Sequence, residues 1–132
     1  MKIKTRLALF LTLGLCVSVS LIAQKPADLV GTWIGMGTLE GMGDNELTLV
    51  LELKEGKLAG HMTDQFESMS EAPISEIKLE EGVFSFSAVA MGSEGQEFPC
   101  VFKMKVDGDS MKGELDIPAM GMYGTWEATR QK

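Results

Sequence analysis

Side chains able to do acid–base or nucleophilic chemistry are scarce in this sequence. Its 132 residues include one histidine, His61, and two cysteines, Cys16 and Cys100. A nucleophile needs a base within hydrogen-bond reach, but strand alternation puts His61 and Cys100 on opposite faces of a sheet. The short acidic turn Asp107-Gly108-Asp109 cannot supply the six to eight oxygens that calcium takes. The sequence therefore predicts a protein that is not an enzyme and uses no cofactor.

Methionine is the distinctive residue of the chain, with 10 copies. Met42, Met69, Met91 and Met120 fall in the four longer connections between predicted strands, and Phe66 lies beside the second of them. Flexible thioether side chains suit an adaptable apolar rim. We expect this rim to bind a small apolar molecule.

Three alternatives to that interpretation stay open. The four methionines could bind Cu(I) or Ag(I), because thioethers are soft donors. The rim could dock on a partner or membrane, as in an interaction or scaffold domain without a ligand. The loop methionines could simply pack onto the body of the protein.

Strand elements must position this rim, and acidic glycine turns mark them. Glu55-Gly56, Glu81-Gly82 and Asp107-Gly108 recur every 26 residues and supply the backbone that hairpins need. Two further segments share a Gly-Thr-Trp triplet, which makes eight strands. The predicted strands are Gly31 to Leu39, Glu46 to Lys54, Lys57 to Thr63, Ile74 to Glu80, Val83 to Ala90, Gln96 to Val106, Ser110 to Ile117 and Gly121 to Arg130. The fold class is all-β, an eight-stranded antiparallel up-and-down barrel, with an open two-sheet sandwich as the alternative.

Period-2 alternation divides the strand residues into an uncharged inner set and a charged outer set. Alternate loops of such a barrel share one end, so the tight turns lie at one end and the methionine loops at the other. Gly37, Ala90 and Met122 would line the mouth beneath the rim, whereas Leu53 and the two tryptophans would fill the far end. Small inner residues, Gly35 and Gly124 among them, predict a tapered apolar pocket or, alternatively, relief of strand coiling.

A Gly31-Thr32-Trp33 triplet at the start of the first strand, with Arg130 near the end of the last, resembles the lipocalins of the calycin superfamily. The resemblance implies that Trp33 plugs the closed end with Arg130 across its ring, and that Gly31 and Trp126 are structural too. The pattern is also similar to small secreted bacterial barrels, a mostly uncharacterised group. It lacks the Thr-Asp-Tyr of a typical lipocalin and the helix after the eighth strand, so ligand binding does not transfer with the resemblance.

The first 23 residues are typical of a secretory signal peptide. Lys2, Lys4 and Arg6 precede an apolar run from Leu7 to Ala23. Cleavage after Ala23 would leave a single domain, residues 24–132, that is periplasmic or extracellular and has no membrane span. Three of the 12 basic residues and none of the 19 acidic ones leave with it, so the net charge changes from -7 to -10. Such a surface repels nucleic acid and anionic lipid; the sequence does not specify an oligomeric state.

Overall fold

Nine antiparallel strands form one sheet in the computed structural model, which describes residues 25–132. The strands are β1 (Gly31–Leu39), β2 (Gly43–Lys54), β3 (Lys57–Asp64), β4 (Ala72–Pro73), β5 (Ser75–Glu80), β6 (Val83–Met91), β7 (Glu97–Asp107), β8 (Ser110–Ile117) and β9 (Met122–Arg130). Short 3-10 helices span Pro26–Leu29 and Pro118–Met120. The predicted signal peptide and its cleavage site lie outside the described residues. No helix within 25–132 is long and apolar enough to cross a bilayer.

The sheet curls into a nearly closed up-and-down barrel, with the strand order β4-β3-β2-β1-β9-β8-β7-β6-β5. The prediction of eight strands is wrong by one, because a two-residue strand, β4, precedes the fourth predicted strand. β4 pairs with β3, whereas the fourth predicted strand, which begins at Ile74, forms β5 and pairs with β6. A register irregularity and a positive φ of 51° at Glu76 accompany the change. β4 and β5 are consecutive in the chain and form the two edges of the sheet, so this segment brings the two edges together.

Backbone hydrogen bonds from this segment and its neighbours narrow the opening between the two edges of the sheet. Ile74, between β4 and β5, donates its N–H to the Gly60 carbonyl at 3.0 Å. At the other end of the barrel, the N–H of Met91 donates to the Ser68 carbonyl at 2.7 Å. The all-β, barrel-like architecture expected from the turns and the alternation is confirmed at this level.

The hairpin turns explain the regular spacing of the glycines. Glu55-Gly56 and Glu81-Gly82 have positive φ at both residues, 53° and 80° in the first turn and 52° and 79° in the second. Mirror-image turns of this kind match the twist of the strands they join. The third turn is displaced by one residue, because Asp107 pairs with Ser110 and leaves Gly108-Asp109 as the connection.

Residues that alternation predicts to face inward form most of the core that fills the barrel, and Leu29 of the first 3-10 helix joins them. The largest fully buried side chains are Trp33, Trp126, Phe84, Phe86, Phe102, Leu29, Leu49, Leu51, Met62, Met104 and Met111. Phe86 and Phe102 stack with ring centroids 4.7 Å apart, and Trp126 meets Phe102 edge-on at 5.8 Å. Leu53 contradicts the predicted inner set: it is 41% exposed, because it lies beside the β2–β3 turn, where β3 pairs only with β2.

Trp33 and Arg130 meet at the end of the barrel that carries the tight turns. The guanidinium carbon of Arg130 lies 4.6 Å from the centroid of the buried Trp33 ring. Its Nη1 donates to the carbonyls of Asp28 and Val30 at 2.6 and 2.9 Å. Arg130 thus ties the first 3-10 helix to the last strand. A Cβ at Gly31 would lie 2.9 Å from the Arg130 Cδ, so glycine leaves room for this side chain.

Candidate functional site

The end of the barrel opposite Trp33 carries most of the exposed large apolar side chains. Met42 and Phe66 are 63% and 67% exposed, and Met91 and Met120 are also exposed. From here on, the name rim refers to these four exposed residues and no longer includes Met69. Tyr123, at 63% exposed, lies beside them and is an addition that the sequence analysis did not include. Exposed apolar side chains gathered at one end of a molecule are typical of an interaction site.

The remaining predicted methionines lie below the rim. Met69 is buried at 5% exposure, and Met122 is partly buried against the core. Three of the four proposed thioether donors are therefore on the surface and the fourth is within the barrel. The alternative that the loop methionines pack onto the body of the protein therefore holds for Met69 and does not hold for the methionines of the rim.

Backbone hydrogen bonds join the long loops in two pairs. Met91, at the end of β6, is bound to Ser68 in the β3–β4 loop, next to Met69. The N–H of Glu40 in the β1–β2 loop donates to the Tyr123 carbonyl of β9 at 3.1 Å. The first pair brings Phe66, Met69 and Met91 onto neighbouring loops. The second brings the loop of Met42 next to the connection that carries Met120.

A small cavity of about 50 Å³ lies beneath these loops. Gly37, Met69 and Ala90 are the predicted site residues that line it. The other lining residues, most of them apolar, are Leu39, Asn45, Leu47, Ser68, Cys100, Phe102, Leu115 and Ile117. Pockets for drug-sized ligands are commonly about 300–1,000 Å³. The described lumen accordingly has room for one small group, such as a methyl.

A buried carboxylate, Asp64, organises the wall of this cavity. It is 3% exposed and accepts hydrogen bonds from Asn45 Nδ2 at 3.1 Å, Ser68 Oγ at 2.6 Å and the Met69 N–H at 2.8 Å. Its own N–H donates to the Met69 carbonyl. These bonds fix the start of the β3–β4 loop and fold Met69 inward.

The sequence analysis missed Asp64, although a signal was present. Asp64 continues the inner phase of Leu58, Gly60 and Met62, so alternation places a carboxylate inside the barrel. The predicted strand ends one residue earlier, at Thr63, and so excludes Asp64, which is the last residue of β3. A charged residue in the inner phase at a strand end is the feature that identifies it.

Cys100 faces the cavity as an unreactive thiol. It is 2% exposed, and burial raises the pKa of its thiol to about 11 from an ordinary 9.0. A thiol in such surroundings stays protonated at neutral pH and is a poor nucleophile.

Alkylation of Cys100 by iodoacetamide at pH 8 should be at least about a hundredfold slower in the native protein than in urea, because the raised pKa reduces the thiolate fraction by that factor. The native rate should reach half of its maximum near pH 11, whereas the unfolded rate reaches half of its maximum near pH 9. Peptide-resolved mass spectrometry follows Cys100 separately from Cys16. Equal native and unfolded rates at pH 8 would contradict the buried position.

His61 lies on the outer side of β3 and is half-buried between β2 and β4. Its Nδ1 is buried and has no hydrogen-bond partner among the described residues. Within that part of the chain, no group of three or more His, Cys, Asp or Glu side chains is arranged to hold a metal ion.

The inner glycines do not all widen the lumen. A Cβ at Gly37 would meet the flexible end of Leu47 at 3.2 Å, so this glycine does border the cavity. A Cβ at Gly35 would lie 1.7 Å from the Glu127 carbonyl oxygen, and one at Gly124 would lie 1.9 Å from that of Thr38. Gly35 and Gly124 instead permit the close approach of neighbouring strands. This agrees with the alternative in which the inner glycines relieve the coiling of the strands and do not form a pocket.

Comparison of the chain with protein-family models, with curated proteins and with solved structures finds no match.

Proposed function

We propose that the protein is a non-catalytic, lipocalin-like barrel that binds a small apolar molecule at the rim. The observation that supports the proposal is that the exposed rim residues lie on the loops adjoining a cavity lined by Gly37, Met69 and Ala90. The nearly closed antiparallel barrel is compatible with a lipocalin-like fold. Secretion after cleavage of the N-terminal signal belongs to the same proposal, and N-terminal sequencing of the exported protein tests it.

The size of the cavity sets how such a ligand is held. About 50 Å³ accommodates one methyl-sized group, so the rest of the ligand lies among the rim side chains. Unbranched thioethers adapt to ligands of different shape. Apolar burial contributes about 25 cal/mol per Å², so coverage of the rim supplies most of the affinity.

Filling the cavity or removing the rim should weaken binding of a hydrophobic fluorescent probe. Ala90→Leu occupies the cavity, and Phe66→Ser combined with Met42→Ser removes apolar contact area. Each change should raise the Kd roughly tenfold or more, since burial of one large apolar side chain is worth about 1.5–3 kcal/mol. A probe titration monitored by fluorescence gives the Kd. Leu53→Ser is the matched control, because Leu53 is exposed at the opposite end of the barrel, and its Kd should stay unchanged.

Three outcomes would contradict the proposal. An unchanged Kd in Ala90→Leu and in the rim variant would place the probe elsewhere. The thioether metal site would be favoured if the double variant Met42→Leu with Met91→Leu lost the affinity for Cu(I) but kept the affinity for the probe. Absence of probe binding, together with association through the rim, would favour the interaction domain.

A further inference from the structure

The outer wall of the barrel carries a group of lysines that contrasts with the acidic character of the chain. Lys103 and Lys105 lie on β7 and Lys112 lies on β8, and all three are exposed. Residues 24–132 have a net charge of -10, because only nine of their side chains are lysine or arginine and 19 are acidic. Three of the nine therefore occupy one small area of the wall.

Two of these lysines face each other. Lys105 and Lys112 are direct partners in the β7–β8 register, and like charges opposite each other destabilise an antiparallel pair. Glu114 lies opposite Lys103, and Glu127 lies opposite Lys112. Even so, the ion pairs within the described part of the chain involve none of the three lysines. The ammonium groups remain available to an external anion.

Two shallow grooves adjoin this pair. The first, of about 490 Å³, is lined by Val83, Lys103, Met104, Lys105, Lys112, Gly113, Glu114, Thr125, Trp126 and Glu127. The second, of about 720 Å³, lies on the other side of the same lysines and includes Ile34, Val106 and Met111. The strands approach closely at Gly113, where a Cβ would lie 1.9 Å from the Lys103 carbonyl oxygen.

We propose that this wall is a second binding site, separate from the rim, for an amphipathic anion. The Lys105 and Lys112 ammonium groups bridge the anionic head group, and a short apolar body lies in the groove beside Val83 and Gly113. The first groove is lined by three lysines and two glutamates, so its lining is net positive, and lysine is a compact cationic donor that suits an anionic head group. Val83 and the alkyl chains of the lysines supply the apolar contacts of the groove, and these favour a carboxylate with an alkyl or aryl body over a small inorganic anion.

Titration with octanoate, followed by backbone amide NMR shifts, tests the proposal. Shifts should concentrate on β7 and β8, and replacing Lys105 and Lys112 by Gln should raise the Kd about tenfold, as for the loss of two exposed ion contacts. Added salt should also raise the Kd. The matched control replaces Lys54 and Lys57 by Gln. These lysines are also opposite each other, but Lys54 contacts Glu52 at 3.3 Å and neither lines the two grooves.

A charge reversal separates binding from folding. Lys105→Glu places a carboxylate opposite Lys112, so octanoate binding should be lost while the unfolding midpoint stays the same or rises by roughly 2 °C. Acetate should bind much more weakly than octanoate. The proposal is overturned if octanoate shifts the rim amides instead, if the double Gln variant binds like the control, or if acetate binds as well as octanoate. Ala90→Leu, which tests the rim, should leave octanoate binding on this wall unchanged.

Discussion

Replacing Trp33 by alanine is expected to lower the free energy of unfolding by about 3–5 kcal/mol, as for other large aromatic truncations in cores. Trp33 is fully buried, and its Nε1 donates to the Leu29 carbonyl at 2.9 Å. The variant would leave a cavity at the closed end and remove the ring beneath Arg130, a cation–π contact worth about 0.5–2 kcal/mol. Urea unfolding followed by far-UV circular dichroism measures the change.

Tyr123→Ala provides the control for this experiment. Tyr123 is also aromatic but is 63% exposed at the opposite end, and substitutions at such surface positions usually change stability by about 0.5 kcal/mol or less. A Trp33→Ala midpoint close to that of Tyr123→Ala would contradict the burial of Trp33. It would also contradict the register in which Trp33 faces Arg130.

Most of the strands could be predicted because one face of the sheet is buried. From Phe98 to Val106 only one set of alternating residues can face inward, because a shift by one residue would bury Lys103 and Lys105. Hairpin turns with acidic residues and glycine then limit the strand ends. These two signals are local, and the barrel-like all-β architecture follows from them.

The errors occur where a strand changes its neighbours. Residues 74–80 alternate like an ordinary strand, and nothing local shows that the chain leaves β3 and joins β6 near Ile74. Leu53 is exposed for a related reason. It lies at the open side of the barrel, where β3 pairs only with β2 and no further strand covers the Leu53 side chain. Closure of a sheet depends on residues distant in sequence, so periodicity alone does not determine it.

The end of the barrel at which the exposed apolar side chains lie was predictable, but the volume of the cavity was not. The order of long and short loops places the rim at one end, as the exposed Met42 and Phe66 illustrate. The volume beneath it depends on how Phe102 and Met69 pack and on the Asp64 hydrogen bonds. Those are three-dimensional properties, and the tapered pocket expected from the inner glycines is a cavity of about 50 Å³.

Gly35→Ala is expected to destabilise the barrel by about 3 kcal/mol, the upper part of the range for overpacked positions. The new Cβ would lie 1.7 Å from the Glu127 carbonyl oxygen and 2.6 Å from the Ala128 Cα. Both obstacles are backbone atoms of β9, so relief requires β1 and β9 to separate. The same strands carry the Trp126 Nε1 bond to the Gly35 carbonyl at 2.9 Å, which separation would break.

Gly37→Ala is the matched control, two residues along the same strand and in the same inner phase. Its Cβ would meet the flexible Leu47 Cδ1 at 3.2 Å and backbone oxygens at 3.5 and 3.6 Å. Alanine also reduces the conformational entropy of the unfolded chain, which contributes about 0.4–1 kcal/mol in its favour. The net change should therefore stay within about 1 kcal/mol. Thermal and urea unfolding of the two variants should differ clearly, and equal stabilities would show that β1 and β9 do not approach closely at Gly35.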